Sequence, residues 1–254
     1  MTKTAKETVK KNFSKYALTY DKYAKAQHEA AKILAGMLPA NARNILDIGC
    51  GTGILTKMLK DRYKESSICA LDISQEMISV AKNKVKDVDY IVADAEEFSG
   101  GRSFDLITSN ASLQWFKELE KTLASFKKIL DPGGRMVFSI FGPLTFHELS
   151  WTIRSCIHKN VFISSKTFHG KTEIEKILGR VFSRSSIKEE VMVEKNKCLK
   201  DLLKKIKYTG TQGQGVMGAN YMGKEALKKM EDMYKAKHKN LEATYQIFFC
   251  EAVA

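Results

Sequence analysis

The segment that decides the fold is Asn-Ile-Leu-Asp-Ile-Gly-Cys-Gly-Thr-Gly at residues 44–53. An apolar run that ends in closely spaced glycines indicates a buried strand followed by a tight turn, and the helical period from Ile54 indicates a helix after it. Glycine at positions 49, 51 and 53 lets the backbone of this turn approach a ligand closely. We therefore predict a strand–turn–helix unit with Gly49, Gly51 and Gly53 at a bound cofactor.

An acidic residue at the end of the next strand indicates what kind of cofactor binds. Residues 67–71 predict a strand, and Asp72 follows it, 19 positions after the last glycine of the turn. A carboxylate at this place accepts hydrogen bonds from the two hydroxyls of a ribose. Ser74 is suited to cap the following helix, and Ile73 and Met77 are predicted cofactor contacts beside Asp72. The pattern predicts a nucleotide-type cofactor.

The glycine turn departs from a dinucleotide-binding turn in two ways. Ile54 stands three positions after Gly51, where the dinucleotide pattern has Gly or Ala, and an additional acid, Asp47, precedes the glycines. A carboxylate there repels a pyrophosphate but attracts the ammonium group of an amino acid, so we infer S-adenosylmethionine as the cofactor. Asp94 and Ala95 follow the third predicted strand, where we expect the adenine. A helix cap is the alternative role of Asp94.

Strands and helical segments alternate along the first half of the chain, which is typical of an α/β fold with a doubly wound, parallel sheet. We predict strands at residues 44–48, 67–71, 90–93, 104–108, 135–141, 187–193 and 244–253. We predict helices at residues 54–63, after Ser74, at 119–130 with a closing turn at 131–134, at 145–159, from a capping box at 172–175, and at 199–207 and 224–239. A helical segment at 7–38 and a glycine-rich loop at 208–218 complete the prediction.

The organisation of the chain points to one domain over residues 1–254. Only three prolines occur in the 254 residues, and no Gly/Ser-rich stretch marks a linker. Within this domain we distinguish an N-terminal helical cap (1–40), a cofactor-binding half (41–142), a second helical cap (143–180) and Lys-rich lid helices with their loop (195–240).

The composition excludes several classes of protein. Hydrophobic residues make up 44% and charged residues 28%, which is usual for a globular protein and excludes a disordered or collagen-like chain. No apolar run approaches the ~20 residues needed to cross a bilayer, and no signal-peptide pattern follows the basic N-terminus, so we expect a cytoplasmic protein without membrane contact. Five cysteines without a C-x-x-C pair suggest neither a disulfide framework nor a metal site.

The net charge of +13 comes almost entirely from lysine, since only seven of the 42 basic residues are arginine. Arginine is the residue that reads bases, whereas lysine acts as a hydrated point charge. The balance favours attraction to an acidic surface over base readout, and a solvated surface without a partner is the alternative.

A motif after the fourth predicted strand, Ser-Asn-Ala-Ser-Leu-Gln-Trp at residues 109–115, makes the chain resemble the class I methyltransferases over nearly its whole length. The motif is similar to that of the malonyl-acyl-carrier-protein O-methyltransferases of biotin synthesis and of the trans-aconitate methyltransferases. The segment from Phe13 to Gln27, the lid region at 203–211 and the closing stretch at 244–249 favour the first family. The resemblance implies a seven-stranded, mostly parallel sheet with an N-terminal helical segment and a helical lid insertion before the last strand.

The activity implied by the resemblance is transfer of a methyl group to the free carboxylate of a malonyl thioester on acyl carrier protein or coenzyme A. The methyl ester then masks that charge, so that chain elongation towards pimelate and biotin becomes possible. A carboxylate with a pKa near ~4 is already ionised at pH 7, so no residue is expected to act as a general acid or base. The enzyme has mainly to align and desolvate its substrates.

Further site residues follow from the resemblance and from the arrangement of the helices. Tyr20, Gln27 and Asn110 complete the expected cofactor set. The residues predicted to orient the substrate are Tyr16, Gln114, Trp115, His147, Arg154 and Tyr208. Arg154 is the expected cation for the substrate carboxylate, with His147 two helical turns before it as a neutral donor. Packing is the alternative role for Tyr16 and Trp115, and a surface ion pair is the alternative for Arg154.

The expected partner is an acidic carrier protein, and we expect the chain to be a monomer. Four lysines on one predicted lid helix are the expected docking residues, with a solvated face as the alternative: Lys200, Lys204, Lys205 and Lys207. Two other hypotheses remain at this point. One is a methyltransferase for a small carboxylate such as trans-aconitate, and the other is an RNA-binding or RNA-modifying protein, which the scarcity of arginine and the lack of an Asn-Pro-Pro-Tyr motif disfavour.

Overall fold

The computed structural model describes residues 3–156, 163–210 and 223–254, with side chains from residue 6 onward. The strands are β1 (Asn44–Ile48), β2 (Ser67–Asp72), β3 (Asp89–Val92), β4 (Phe104–Asn110), β5 (Leu130–Phe141), β6 (Arg184–Lys195) and β7 (Glu242–Val253). The helices are α1 (Lys3–Tyr16), α2 (Tyr20–Tyr23), α3 (Lys25–Met37), α4 (Ile54–Arg62), α5 (Gln75–Lys84), α6 (Leu119–Lys128), α7 (His147–Cys156), α8 (Lys171–Val181), α9 (Leu199–Tyr208) and α10 (Lys224–His238). Short 3-10 turns lie at Ala17–Thr19, Leu113–Trp115 and Ser164–Thr167.

The sheet has the strand order β3-β2-β1-β4-β5-β7-β6. β1 to β5 are parallel, and β7 runs antiparallel between β5 and β6. This confirms the predicted seven-stranded, mostly parallel sheet. The strand order reverses between β1 and β4, and in such sheets the carboxyl ends of the strands leave a crevice at that point.

Successive side chains of a strand point to opposite faces of the sheet. Because these strands are apolar on both faces, helices cover both of them. Ile45, Leu106 and Val137 pack in one cluster with residues of α3, α4, α7, α9 and α10. Leu46, Ile107 and other strand residues pack in a second cluster with α6 and α8. The near-continuous apolar runs of the predicted strands therefore correspond to two separate cores.

Two details of the prediction are wrong. The turn at residues 131–134 does not precede β5 but bulges out of it, since the pairing jumps from Phe104 with Leu130 to Leu106 with Arg135. The capping box at Thr172 does not form, because α8 begins one residue earlier and the carbonyl of Gly170 accepts its first hydrogen bonds.

Other expectations about the helices are confirmed where the structure describes them. The Ser74 hydroxyl accepts a hydrogen bond from the Met77 backbone N–H at 3.2 Å and caps α5 as predicted. Both Lys-rich helices are present as α9 and α10. The predicted helix at 145–159 is observed as α7, and residues 157–162 together with most of the predicted glycine-rich loop, from residue 211, lie outside the described residues.

Within the described ranges, no helix is long and apolar enough to cross a membrane. The same residues contain no group of three or more His, Cys, Asp or Glu that could hold a metal ion.

Candidate active site

A cavity of about 720 Å³, here called the main cavity, lies at the carboxyl ends of β1, β2 and β4. Nine of the predicted cofactor residues line it: Tyr20, Gly49, Gly51, Asp72, Ile73, Met77, Asp94, Ala95 and Asn110. In open α/β sheets, ligands bind in the crevice at the carboxyl ends of the strands, where the strand order reverses. The structure thus brings together residues from five separate segments of the chain.

A smaller space, the end cavity, adjoins the main cavity and shares Tyr20, Gly49, Gly51 and Asn110 with it. The remaining cofactor predictions, Gln27 and Asp47, line this end cavity. Gly53 is the exception and lines neither space.

Gly53 has a packing role in the glycine turn. Its backbone has a φ of +83°, and a Cβ atom added to it would lie 3.2 Å from the Cβ atom of Ala81 in α5. This glycine therefore allows the turn to pack closely against α5, which accounts for its presence without a ligand contact.

Asp47 carries an unsatisfied oxygen at the end cavity. Its side chain is buried, and Oδ2 accepts a hydrogen bond from the Thr56 hydroxyl at 2.6 Å, whereas Oδ1 has no partner among the described residues. Burial raises the pKa of Asp47 to about 7. A cationic donor placed against Oδ1 satisfies both the charge and the lone pair, so the site fits the ammonium group of S-adenosylmethionine.

Asp72 is held by two backbone donors at the floor of the main cavity. Its Oδ2 accepts from the Gly51 N–H at 2.9 Å, and its Oδ1 accepts from the Ser74 N–H at 2.8 Å. Burial raises the pKa of Asp72 to about 6. The carboxylate retains further lone pairs for a ligand, which fits the predicted contact with ribose hydroxyls.

The elevated pKa of Asp47 predicts a pH-dependent affinity for S-adenosylmethionine. The ammonium group pairs with the ionised carboxylate, so we expect binding to tighten as the pH rises from about 6 to 7.5, below the range in which the α-amino group of the ligand loses its own proton, with uptake of the ligand releasing a proton. Asp47→Asn should weaken binding at about pH 7.5 and abolish the slope over this range, as measured by calorimetry. A variant that keeps the wild-type slope would show that another group is responsible.

The same pKa sets the sign of an effect on stability. The folded-state pKa of Asp47 lies above that of the unfolded chain, so the ligand-free protein binds more protons when folded between about pH 4 and 7. Its contribution to stability therefore falls as the pH rises through this window, and Asp47→Asn should remove that part of the decline in thermal unfolding experiments.

The N-terminal helices cover the main cavity. The Lys6 ammonium pairs with the carboxylates of Asp94 and Glu96, and the Phe13 ring packs against Trp115 at 6.2 Å between centroids. Asp94 also accepts a hydrogen bond from the Glu96 N–H at 2.9 Å, so it caps a turn as well as facing the cavity. Nothing in the sequence pattern indicated Lys6, because its partners lie about ninety positions away.

A third space, the apolar cavity, opens beside the other two. It shares Trp115 with the main cavity and Gln27 with the end cavity. The rest of its lining consists of Phe141, Thr145, Phe146, Ile163, Ser165, Phe168 and Tyr245. The sequence pattern did not single out these seven, since they come from three segments far apart in the chain: the end of β5 with the residues after it, the 3-10 turn at Ser164–Thr167 with its flanking residues, and β7.

Three of the predicted substrate-orienting residues lie near these spaces without lining them. Gln114 is buried beside Trp115, and its amide donates to the Ala111 carbonyl at 2.7 Å. The rings of Tyr16 and Tyr208 meet at 5.0 Å, and Tyr208 stacks on Tyr23 at 4.7 Å. This tyrosine cluster joins α1, α2 and α9.

The other two predicted residues are on α7, away from the three cavities. The side chain of His147 is 43% exposed, and its ring packs at 6.3 Å from that of His238. Arg154 is exposed on the last turn of the helix. The structure does not bring either residue to a cavity wall, and their role stays a prediction.

The family model and two relatives that match this chain are described as methyltransferases. Residues 46–138 match the family model described as "Methyltransferase domain". The chain is 32% identical over 235 residues to malonyl-[acyl-carrier protein] O-methyltransferase 2 of Ilyobacter polytropus, covering 91% of this chain and 90% of the relative. It is 31% identical to malonyl-[acyl-carrier protein] O-methyltransferase of Acetivibrio thermocellus, covering 96% and 92%. The crystal structure of the YcgJ protein from Bacillus subtilis shares the fold, with a TM-score of 0.63 at 15% identity, covering 89% of this chain and 98% of that one.

Proposed function

Because the chain belongs to the malonyl-[acyl-carrier protein] O-methyltransferase family, we propose that it transfers a methyl group from S-adenosylmethionine to the free carboxylate of malonyl-acyl-carrier protein. It is a carboxyl O-methyltransferase of class I, and S-adenosylmethionine is its cofactor. The relatives support this hypothesis over the small-carboxylate and RNA alternatives.

The choice of a carboxylate as the methyl acceptor is supported by the lack of a general base in the described lining of the apolar cavity. In the described part of the chain, no Asp, Glu, His, Lys or Arg lines it, and burial raises the pKa of its one phenol, Tyr245. An amine or hydroxyl acceptor has to lose a proton to a base during methylation, whereas a carboxylate does not. A tricarboxylate such as trans-aconitate would also bring further charges into this lining without a counter-ion.

The residues of the site bind and orient the two substrates. Asp47 would hold the ammonium group of the cofactor, Asp72 the ribose hydroxyls and Asp94 the adenine amino group. When bound, S-adenosylmethionine supplies an electrophilic methyl group whose departure leaves a neutral thioether. A carboxylate held against the aromatic lining of the apolar cavity would be shielded from water, which would strengthen its attraction to the sulfonium of the cofactor.

The test is a methyl-transfer assay with malonyl, glutaryl and acetyl thioesters of acyl carrier protein. We expect transfer to the malonyl thioester and none to the acetyl thioester, which has no free carboxylate. Transfer to acetyl carrier protein, or none to any malonyl thioester, would contradict the proposal.

We further propose that α9 carries the docking surface for the acidic carrier protein. Lys200 and Lys204 are exposed on this helix, and Lys204 also lies 5.9 Å from the Tyr23 ring centroid. Lys205 differs from its neighbours, because its ammonium is committed to Glu194 at 2.9 Å and Asn196 at 2.8 Å. The docking proposal therefore rests on Lys200, Lys204 and Lys207.

Reversal of charge on this helix should weaken recognition of the carrier protein. We expect Lys200→Glu to raise the KM for malonyl-carrier protein roughly tenfold at low salt and to leave the KM for malonyl-coenzyme A nearly unchanged. Lys64→Glu is the matched control. Lys64 is exposed just before the amino end of β2, whereas α9 follows the carboxyl end of β6. Equal effects of the two substitutions would place docking elsewhere.

The proposal also covers the pathway, the location, the oligomeric state and the role of Arg154. The methyl ester would serve as the primer from which pimelate is built for biotin, so loss of the gene should create a requirement for biotin. We propose that the protein acts in the cytoplasm and as a monomer. Arg154, exposed near the end of α7, remains the proposed cation for the carboxylate as the substrate arrives.

A further inference from the structure

The indole nitrogen of Trp115 is a buried hydrogen-bond donor that has no acceptor within the described ranges. Trp115 is only 6% exposed, and its ring packs edge-on against Phe168 at 5.3 Å between centroids. Buried N–H groups in folded proteins nearly always have a partner, because leaving one unpaired destabilises the fold. The described part of the protein therefore supplies no acceptor for this N–H, and the donor is available to a molecule that enters the cavity.

Trp115 stands where that molecule would react. It lines both the main cavity and the apolar cavity, while Gln27 lines both the end cavity and the apolar cavity. The apolar cavity therefore meets the cofactor spaces at these two side chains. A methyl group that passed from a cofactor in the first two spaces to an acceptor in the apolar cavity would cross this junction.

The hydroxyl protons of the apolar cavity are already used inside the protein. Thr145 donates to the Gln246 carbonyl at 3.2 Å, Ser165 donates to the Thr145 carbonyl, and Tyr245 donates to Glu194 at 3.2 Å. These hydroxyls fix the shape of the cavity and have no proton left for an oxyanion, so the remaining side-chain N–H donors of the described lining are those of Gln27 and Trp115. The Trp115 N–H is the donor in this lining that is both buried and unpaired.

We propose that the apolar cavity is the binding site for the malonyl group and that the Trp115 N–H donates a hydrogen bond to one oxygen of its carboxylate. The inference rests on the proposed function and adds the acceptor site to it. The second oxygen forms the new bond to the methyl carbon as the carbon–sulfur bond breaks, the electron pair of that bond stays on sulfur, and no proton moves. A neutral donor suits this step, because it orients the carboxylate and leaves its negative charge to the sulfonium.

A conservative pair of substitutions tests the role of the N–H group. The chain has two tryptophans, so Trp151→Phe, at a half-buried position of α7 that lines none of the three cavities, is the matched control for Trp115→Phe. We expect Trp115→Phe to lower kcat/KM for malonyl-carrier protein about 10- to 100-fold. Thermal stability and affinity for S-adenosylhomocysteine should stay close to those of the control. Parallel losses in stability, cofactor affinity and activity would show that Trp115 is structural and would overturn the proposal.

A second measurement does not depend on turnover. In Trp151→Phe, Trp115 is the only indole, so its fluorescence reports on its surroundings. Malonyl-coenzyme A added to the complex with sinefungin, an unreactive cationic analogue of the cofactor, should change the emission in a saturable way, and acetyl-coenzyme A should not. An unchanged emission would contradict the acceptor site. Wild-type protein that methylates no malonyl thioester would contradict the proposed function instead.

Discussion

We expect Gly51→Val to abolish binding of S-adenosylmethionine. Gly51 has a φ of +55°, which a β-branched residue adopts only with strain, and its N–H donates to Asp72. No atom lies within 4 Å of a Cβ added at this position, so the protein itself does not exclude the side chain. The valine would instead stand beside the main cavity, in space that the cofactor needs.

The expected loss of affinity is at least about 100-fold, or roughly 3 kcal/mol, from calorimetry. Gly101→Val is the matched control for backbone strain, because Gly101 also has a positive φ of +75° with open space around it and lines none of the cavities. If the control lost affinity equally, or if Gly51→Val kept it, the assignment of the turn to the cofactor would fail.

The second large effect is expected at Asp72. Asp72→Ala removes the proposed contact with the ribose hydroxyls, and it also leaves the N–H groups of Gly51 and Ser74 without their acceptor, so the turn loses its anchor. We expect the affinity for the cofactor to fall by about 2–4 kcal/mol, since a charge-assisted hydrogen bond contributes about 1.5–3 kcal/mol and the turn loosens as well.

Asp72→Asn separates the two causes. Asparagine keeps an oxygen that accepts one of the backbone hydrogen bonds, so the turn should stay closer to its native shape while the charge is lost. We expect an intermediate affinity. Wild-type affinity in both variants would remove Asp72 from the site.

The half of the site that binds the cofactor could be predicted from the sequence because it is local. Asp47 lies near the end of β1, Gly49 and Gly51 lie in the turn after it, and Asp72 ends the neighbouring strand, so strand order and side-chain spacing suffice to place them together. Gly53 shows the limit of this reasoning, because a glycine that allows helix packing has the same sequence signature as one that faces a ligand.

The acceptor side could not be predicted in the same way. Phe141 and Tyr245 meet because β7 pairs antiparallel with β5, and Phe168 joins them from a segment more than twenty residues away from either. Their apolar pattern is that of core residues in any strand or turn. The two-turn spacing of His147 and Arg154 likewise predicts that they share one face of a helix, but it does not predict the direction of that face. In the structure both side chains are exposed to solvent.

The position of β7 has a consequence for the order in which the protein can assemble during synthesis. Among the described strands, β6 pairs only with β7, and β5 has β7 as its second neighbour, although β7 is made more than forty residues after β6. Until residues 242–253 emerge from the ribosome, the nascent chain exposes two open strand edges and the apolar residues that β7 later covers. Such edges pair readily with other chains. Chaperone binding to ribosome-bound chains should therefore persist until the last strand is available, and chains truncated before residue 242 should aggregate.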